Sequence, residues 1–201
     1  MPPAAHPAAS GSPGSADGID KLINRIGADL QTLEDHLKHN GEKRCKVRFP
    51  RGFLRTAQHF RARYWFIRDA NLKRNVAYSL ILSDFYRWVL NRTDLWGTPR
   101  EMIIKEAICL IGAVAESLTK DAMKGRCGAH TGYKKRIAKM VELGIIAPDL
   151  QAQLDALWDW RNNEHLFMLA EWEYGKYELK HYNAAIVTAE LDDFTLEQAS
   201  P

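Results

Sequence analysis

Ile19, Leu22, Ile23, Ile26, Leu30, Leu33 and Leu37 recur at steps of three and four residues, the spacing that lines one face of an α-helix. With Asp17 placed to cap the first turn, the pattern predicts a helix from Ile19 to His39, closed by Asn40-Gly41. Two further helical runs are VAYSLILSDFYRWVLNR and MIIKEAICLIGAVAESLTKDAM. Between them TDLWGTPRE carries a Gly-Thr-Pro turn signal, with Thr98 as a candidate cap. The second run is apolar on nearly every face, through Ile103, Ile104, Ala107, Ile108, Leu110, Ile111, Val114, Ala115 and Leu118. A helix without a polar side belongs in the middle of a bundle. Gly112 and Ala113 leave room for a neighbouring helix to come close. Glu116 is then either a carboxylate in need of a partner or one that reaches water from the end of the apolar face.

After the Gly-rich break GRCGAHTGY, KKRIAKMVELG reads as a helix ending at Gly144, the expected glycine past a C-terminus. Pro148 introduces DLQAQLDALWDWRNNEHLFMLAEWE, with an interrupted apolar stripe through Leu150, Leu154, Leu157, Trp158, Phe167 and Leu169, and HYNAAIVTAELDDFTLEQ is the last helical run. No stretch alternates as a strand. The predicted fold is all-α, a single bundle of about five to seven helices. Residues 1–18, MPPAAHPAASGSPGSADG, have almost nothing bulky to bury and are expected to form a disordered tail. Residues 19–75 are expected to hold the first helix and a basic helical segment, and residues 76–198 the bundle.

Composition narrows this little. The 201 residues carry 46% hydrophobic and 26% charged side chains and a net charge of +3, which suits one soluble domain with appendages and does not announce a nucleic-acid binder. The distribution is more informative. Residues 42–74 hold eleven Lys/Arg against two acids, and from Val141 onward twelve acids face three Lys/Arg. The basic segment, with Arg55, Arg61, Arg63 and Arg68, is a candidate RNA contact. The opposite charges can equally match one another within or between subunits. Three cysteines, Cys45, Cys109 and Cys127, form no CxxC or Cys/His ligand cluster, and their odd number fits reduced thiols and a cytoplasmic setting. There is no secretory signal pattern and no apolar stretch of membrane-spanning length.

The stretch WDWRNNEHLF carries the candidate chemistry. Four residues along an α-helix return to nearly the same direction, so Arg161 and His165 share one face, with Asn162 beside them. An imidazole can move protons at a ribose 2'-hydroxyl or at the leaving oxygen, a guanidinium can hold the phosphate, and an amide can orient either. The same residues have a plainer use. Arg161 and Glu164 are spaced as an i,i+3 ion pair, and Trp158 can lie along the Arg161 stem. No Walker loop, GxGxxG, HExxH or GxSxG is present, and the seven histidines are scattered, so no cofactor or metal is expected. Cys127 and His130 read as structural loop residues. The six tryptophans read as core and interface packing rather than base-stacking platforms.

The succession AICLIGAVAESL, KRIAKMVELGIIAPDL, LDALWDWRNNEHL and YNAAIVTAELDDF, over about residues 76 to 196, resembles the HEPN superfamily (higher eukaryotes and prokaryotes nucleotide-binding domain), in particular bacterial members with an RNxxH signature. The resemblance implies a helical bundle, commonly dimeric, and for catalytic members a metal-independent endoribonuclease of toxin-antitoxin, phage-defence or RNA-processing systems. It implies catalytic roles for Arg161, Asn162 and His165; Glu116 and Glu164, from their positions in the chain, are candidate supporting carboxylates. A homodimer, an RNA substrate, and a cognate antitoxin or nucleotidyltransferase are the implied partners. Three residues separate Arg161 from His165, where the commonest catalytic spacing leaves four to six. The other reading is a non-catalytic helical module that binds nucleotides or protein.

Overall fold

The computed structural model describes residues 16–40, 46–50, 52–162 and 178–189. Among these the chain is all-α, with seven helices: α1 (Ala16–Asn40), α2 (Ala57–Arg63), α3 (Ala70–Arg92), α4 (Thr98–Ala122), α5 (Tyr133–Glu142), α6 (Pro148–Asn162) and α7 (Leu179–Ala189). The chain divides into two compact units between Phe49 and Pro50.

The first unit is built on α1. The helix begins at Ala16, so residues 16–18 form its first turn rather than the end of a tail, and Asp17 lies inside that turn instead of capping it. An acid there still favours the helix, because the first turn exposes unpaired N–H groups. Ion pairs run along the surface from Arg25 to Asp29 and from Lys38 to Glu34, each 3.7 Å and four residues apart. The expected tail lies, for residues 1–15, outside the described residues.

The second unit is organised around α4. Ile104, Ala107, Ile108 and Ala115 of α4 are fully buried, and the helix packs against α3, α5, α6 and α7, the central place its all-round apolarity predicts. Gly97 caps its start at φ 68°, and Thr98, the candidate cap, is the first helical residue. Helix α3 starts at Ala70, six residues before the first apolar run that announced it. The Asp69 side chain accepts the Leu72 N–H at 2.8 Å, and that bond is the main cause holding the Asp69 carboxyl below its ordinary value. At the end of α5, Gly144 takes φ 67° and the Ile145 N–H reaches back to the Met140 carbonyl at 2.9 Å, which seats Ile145 in the core.

The boundary divides the basic segment, and its part from Pro50 onward belongs to this second unit. Helix α2, capped by Thr56 through the His59 N–H, packs on α3 and buries Phe60, with Tyr64 and Ile67 buried just beyond it. Arg55 fixes the approach to α2: its Nη2 lies 2.6 Å from Asp84 Oδ1, and its Nε and backbone N–H both donate to Asp84 Oδ2 at 3.0 Å. Asp84 is 4% exposed on α3, so these three donors satisfy a carboxylate that would otherwise be costly to bury. At the other end of the chain, the Tyr182 hydroxyl of α7 donates to the Ser83 carbonyl (3.1 Å) and pairs with Ser83 Oγ (2.9 Å), tying α7 to α3.

Candidate functional site

Arg161 stands in the last turn of α6. Its Nη2 lies 3.2 Å from Glu116 Oε2 of α4, with 27% of the Arg161 and 32% of the Glu116 side chain exposed. Glu116 therefore has a partner and also keeps contact with water. The Arg161 guanidinium lies over the Trp158 ring, 5.0 Å from its centroid. Trp158 stacks on Tyr133 of α5 with centroids 4.4 Å apart and planes within 4°. The Arg136 guanidinium in turn lies 5.4 Å from the Tyr133 centroid. Two cations and two rings thus make one continuous run of contacts across α5 and α6.

Gly112 permits this arrangement. A Cβ at that position would lie 2.8 Å from the Arg161 Cβ and 3.0 Å from its Cγ, so the stem of Arg161 rests on the bare backbone of α4. The close approach expected at Gly112 is present, and the group that uses it is Arg161.

The other residues of the sequence motif divide by position. Asn162 closes α6 and is half-buried, whereas Glu164 and His165 lie outside the described residues, as do Leu166 and Phe167. Trp160 is half-buried against the core and meets His181 of α7 at 5.0 Å between centroids. Both described tryptophans of the motif thus find neighbours inside the bundle.

The four arginines of the basic segment also differ. Arg55 is engaged with Asp84 and lies over Phe60. Arg61 is exposed and its Nε donates to the Ala57 carbonyl, while Arg68 is exposed beyond α2. Arg63 joins Arg55 and Arg87 around a small cavity next to Ser83. Of the tryptophans read as core and interface packing, Trp65 and Trp96 are not core residues, being 71% and 79% exposed.

Tyr133 and Arg136 did not stand out in the sequence; the one local hint is that they lie a helical turn apart. Burial pushes the Tyr133 hydroxyl far above its ordinary value; Arg136 acts against this, and Asp155 and Glu116 add to it. Arg136 is 6% exposed, with Nη1 donating to the Thr131 carbonyl and with Nε and Nη2 buried without a hydrogen-bond partner. It borders a cavity of about 430 Å³ that Ser117, Lys120, Lys124 and Cys127 also line. Cys127 belongs to the turn after α4, where its N–H donates to the Met123 carbonyl. Among the described residues no group of three or more His, Cys, Asp or Glu is placed to hold a metal ion, and no helix is long and apolar enough to cross a membrane.

Comparison of the chain with family models, with curated proteins and with solved structures gives no match.

Proposed function

We propose that the C-terminal end of α6 is a phosphodiester site and that the protein is a HEPN-like endoribonuclease that cleaves RNA without a metal. The observation that supports this reading is the way Arg161 is held. Glu116 takes one nitrogen of the guanidinium and Trp158 its face, so the cation is oriented before a ligand arrives and is still about a quarter exposed. Orientation of that kind lowers the cost of gripping a phosphate. In the proposed reaction His165 removes the proton from a ribose 2'-hydroxyl, the 2'-oxygen attacks phosphorus, and the 5'-oxygen leaves with a proton. The products are a 2',3'-cyclic phosphate and a 5'-hydroxyl. Arg161 holds the phosphate oxygens as charge builds on them, and Asn162 orients the hydroxyl or the phosphate. One histidine supplies one proton-transfer group, so a homodimer that faces two motifs across a shared cleft supplies the second. A role in a toxin-antitoxin or defence system, with an antitoxin or nucleotidyltransferase as partner and a cytoplasmic setting, belongs to the same reading.

A second reading draws on the same ion pair. Glu116 already compensates the Arg161 charge, which suits a non-catalytic module in which Arg161 locks α6 onto α4. Incubating the full chain with mixed RNA in EDTA separates the two. Cyclic-phosphate products that vanish in both Arg161→Ala and His165→Ala are expected for the enzyme. Cleavage that survives in either variant removes that residue from the mechanism. A lower unfolding midpoint in Arg161→Ala, with no RNA cleaved by the parent protein, supports the structural module.

A further inference from the structure

Within the 25 residues of α1, one set of apolar positions keeps a stricter spacing than a packed bundle helix needs. Ile19, Ile23, Ile26, Leu30, Leu33 and Leu37 follow at steps of four, three, four, three and four, which is an unbroken heptad seam. Among the described residues of its own compact unit, the seam has no second helix to pack against. Ile19, Ile23, Ile26 and Leu30 are each between 45% and 60% exposed.

The positions that flank such a seam select its partner, because they lie against the flanks of the facing helix. On α1 the flanks are Asp20, Gly27 and Glu34 on one side and Leu22, Asp29 and His36 on the other. Three are acids and none is Lys or Arg. The cations of the helix, Lys21, Arg25 and Lys38, fall on the outer positions, from which Arg25 and Lys38 reach Asp29 and Glu34 only as exposed pairs at 3.7 Å, a weak compensation. A second copy of the chain fits poorly. In parallel register Asp29 meets Glu34 of the other copy. In the fully overlapped antiparallel register Asp20 meets Glu34 and Asp29 meets Asp29. Like charges at these places disfavour pairing.

We infer that α1 is a docking helix for a partner protein that presents an amphipathic helix with its own heptad apolar seam and Lys or Arg on both flanks. This function rests on α1 and does not depend on the chemistry proposed for α6. The seam supplies the apolar contact, and the acid flanks choose a basic partner over a second copy.

The test uses the full chain and two synthetic labelled 25-residue peptides with the same Leu/Ile seam, one with Lys and one with Glu at every flanking position, followed by fluorescence anisotropy. The Lys peptide is expected to bind at least about tenfold tighter than the Glu peptide. Ile26→Asp is expected to abolish that binding, and the double change Asp29→Lys/Glu34→Lys, which spares the apolar seam, to reverse the preference. Equal affinity for the two peptides, or a preference that survives Ile26→Asp, overturns the proposal. Sedimentation showing self-association of the parent chain that Ile26→Asp removes also overturns it, since the occupant is then a second copy. A lowered unfolding midpoint of the bundle in Ile26→Asp overturns it too, because the seam is then covered by the chain itself.

Discussion

Gly112 sets the position of Arg161. Any side chain there meets the Arg161 stem at 2.8 Å, and both atoms belong to helical backbone units with little room to give. Gly112→Ala is therefore expected to lower stability by about 1 to 3 kcal/mol, the usual range for overpacking, although alanine is the better helix former. Urea unfolding measures it, and an unchanged or raised midpoint contradicts the close contact. The sequence carried half of this arrangement. Glycine in an apolar helix pointed to a close approach, and Glu116 posed the question of a partner. That Arg161 answers both could not be read, because it depends on how α4 and α6 are rotated about their axes, which the whole core decides. Arg55 shows the same limit. A count of basic residues treats every cation alike, whereas its bonds to Asp84, 29 residues further on, follow from the crossing of α2 over α3.

Elements were legible where one physical signal dominated. Helix α4 announced its central place because it has no polar face, and α5 announced its end through Gly144. Helices α1 and α3 begin earlier than apolar periodicity predicts, since that signal is silent in polar first turns such as ANLKRN, where the capping Asp69 is the operative signal. The junction of α7 with α3 was not legible at all, because it rests on one hydroxyl reaching across the bundle to Ser83. That junction gives the fold an alkaline limit. Burial raises the Tyr182 hydroxyl from 10.0 to about 12 in the folded chain, while its bond to Ser83 and the nearby Arg87 act the other way. The folded state thus favours the protonated ring. Its contribution is complete below about pH 10 and is lost as pH rises through about 12, an effect of the order of 2 to 3 kcal/mol. Tyr182→Phe is expected to cost about 1 kcal/mol at neutral pH through the lost hydrogen bond and to flatten the alkaline limb of a plot of urea midpoint against pH. Tyr133, shifted in the same direction, keeps the limb from vanishing. A limb as steep in Tyr182→Phe as in the parent assigns the alkaline loss elsewhere.

At the scale of the molecule, the hydrophobic core draws its buried members from Phe60 to Ala185, all of them within the second compact unit. A unit that closes its own core folds as a domain. A chain beginning at Pro50 is expected to unfold in one cooperative transition and to keep a near-ultraviolet circular dichroism signal. A broad, non-cooperative curve with that signal lost shows that the core needs the preceding residues. Within that core, the run from Arg161 through Trp158 and Tyr133 to Arg136 has an optical consequence. A stacked indole and phenol at 4.4 Å form a coupled pair of chromophores, and a guanidinium 5.0 Å from the indole shifts the colour of its emission through its electric field. Any anion that draws Arg161 away from Trp158 removes that field. The fluorescence of Trp158, isolated by replacing the other five tryptophans together, then reports occupancy of the α6 end without any bond in the ligand having to break.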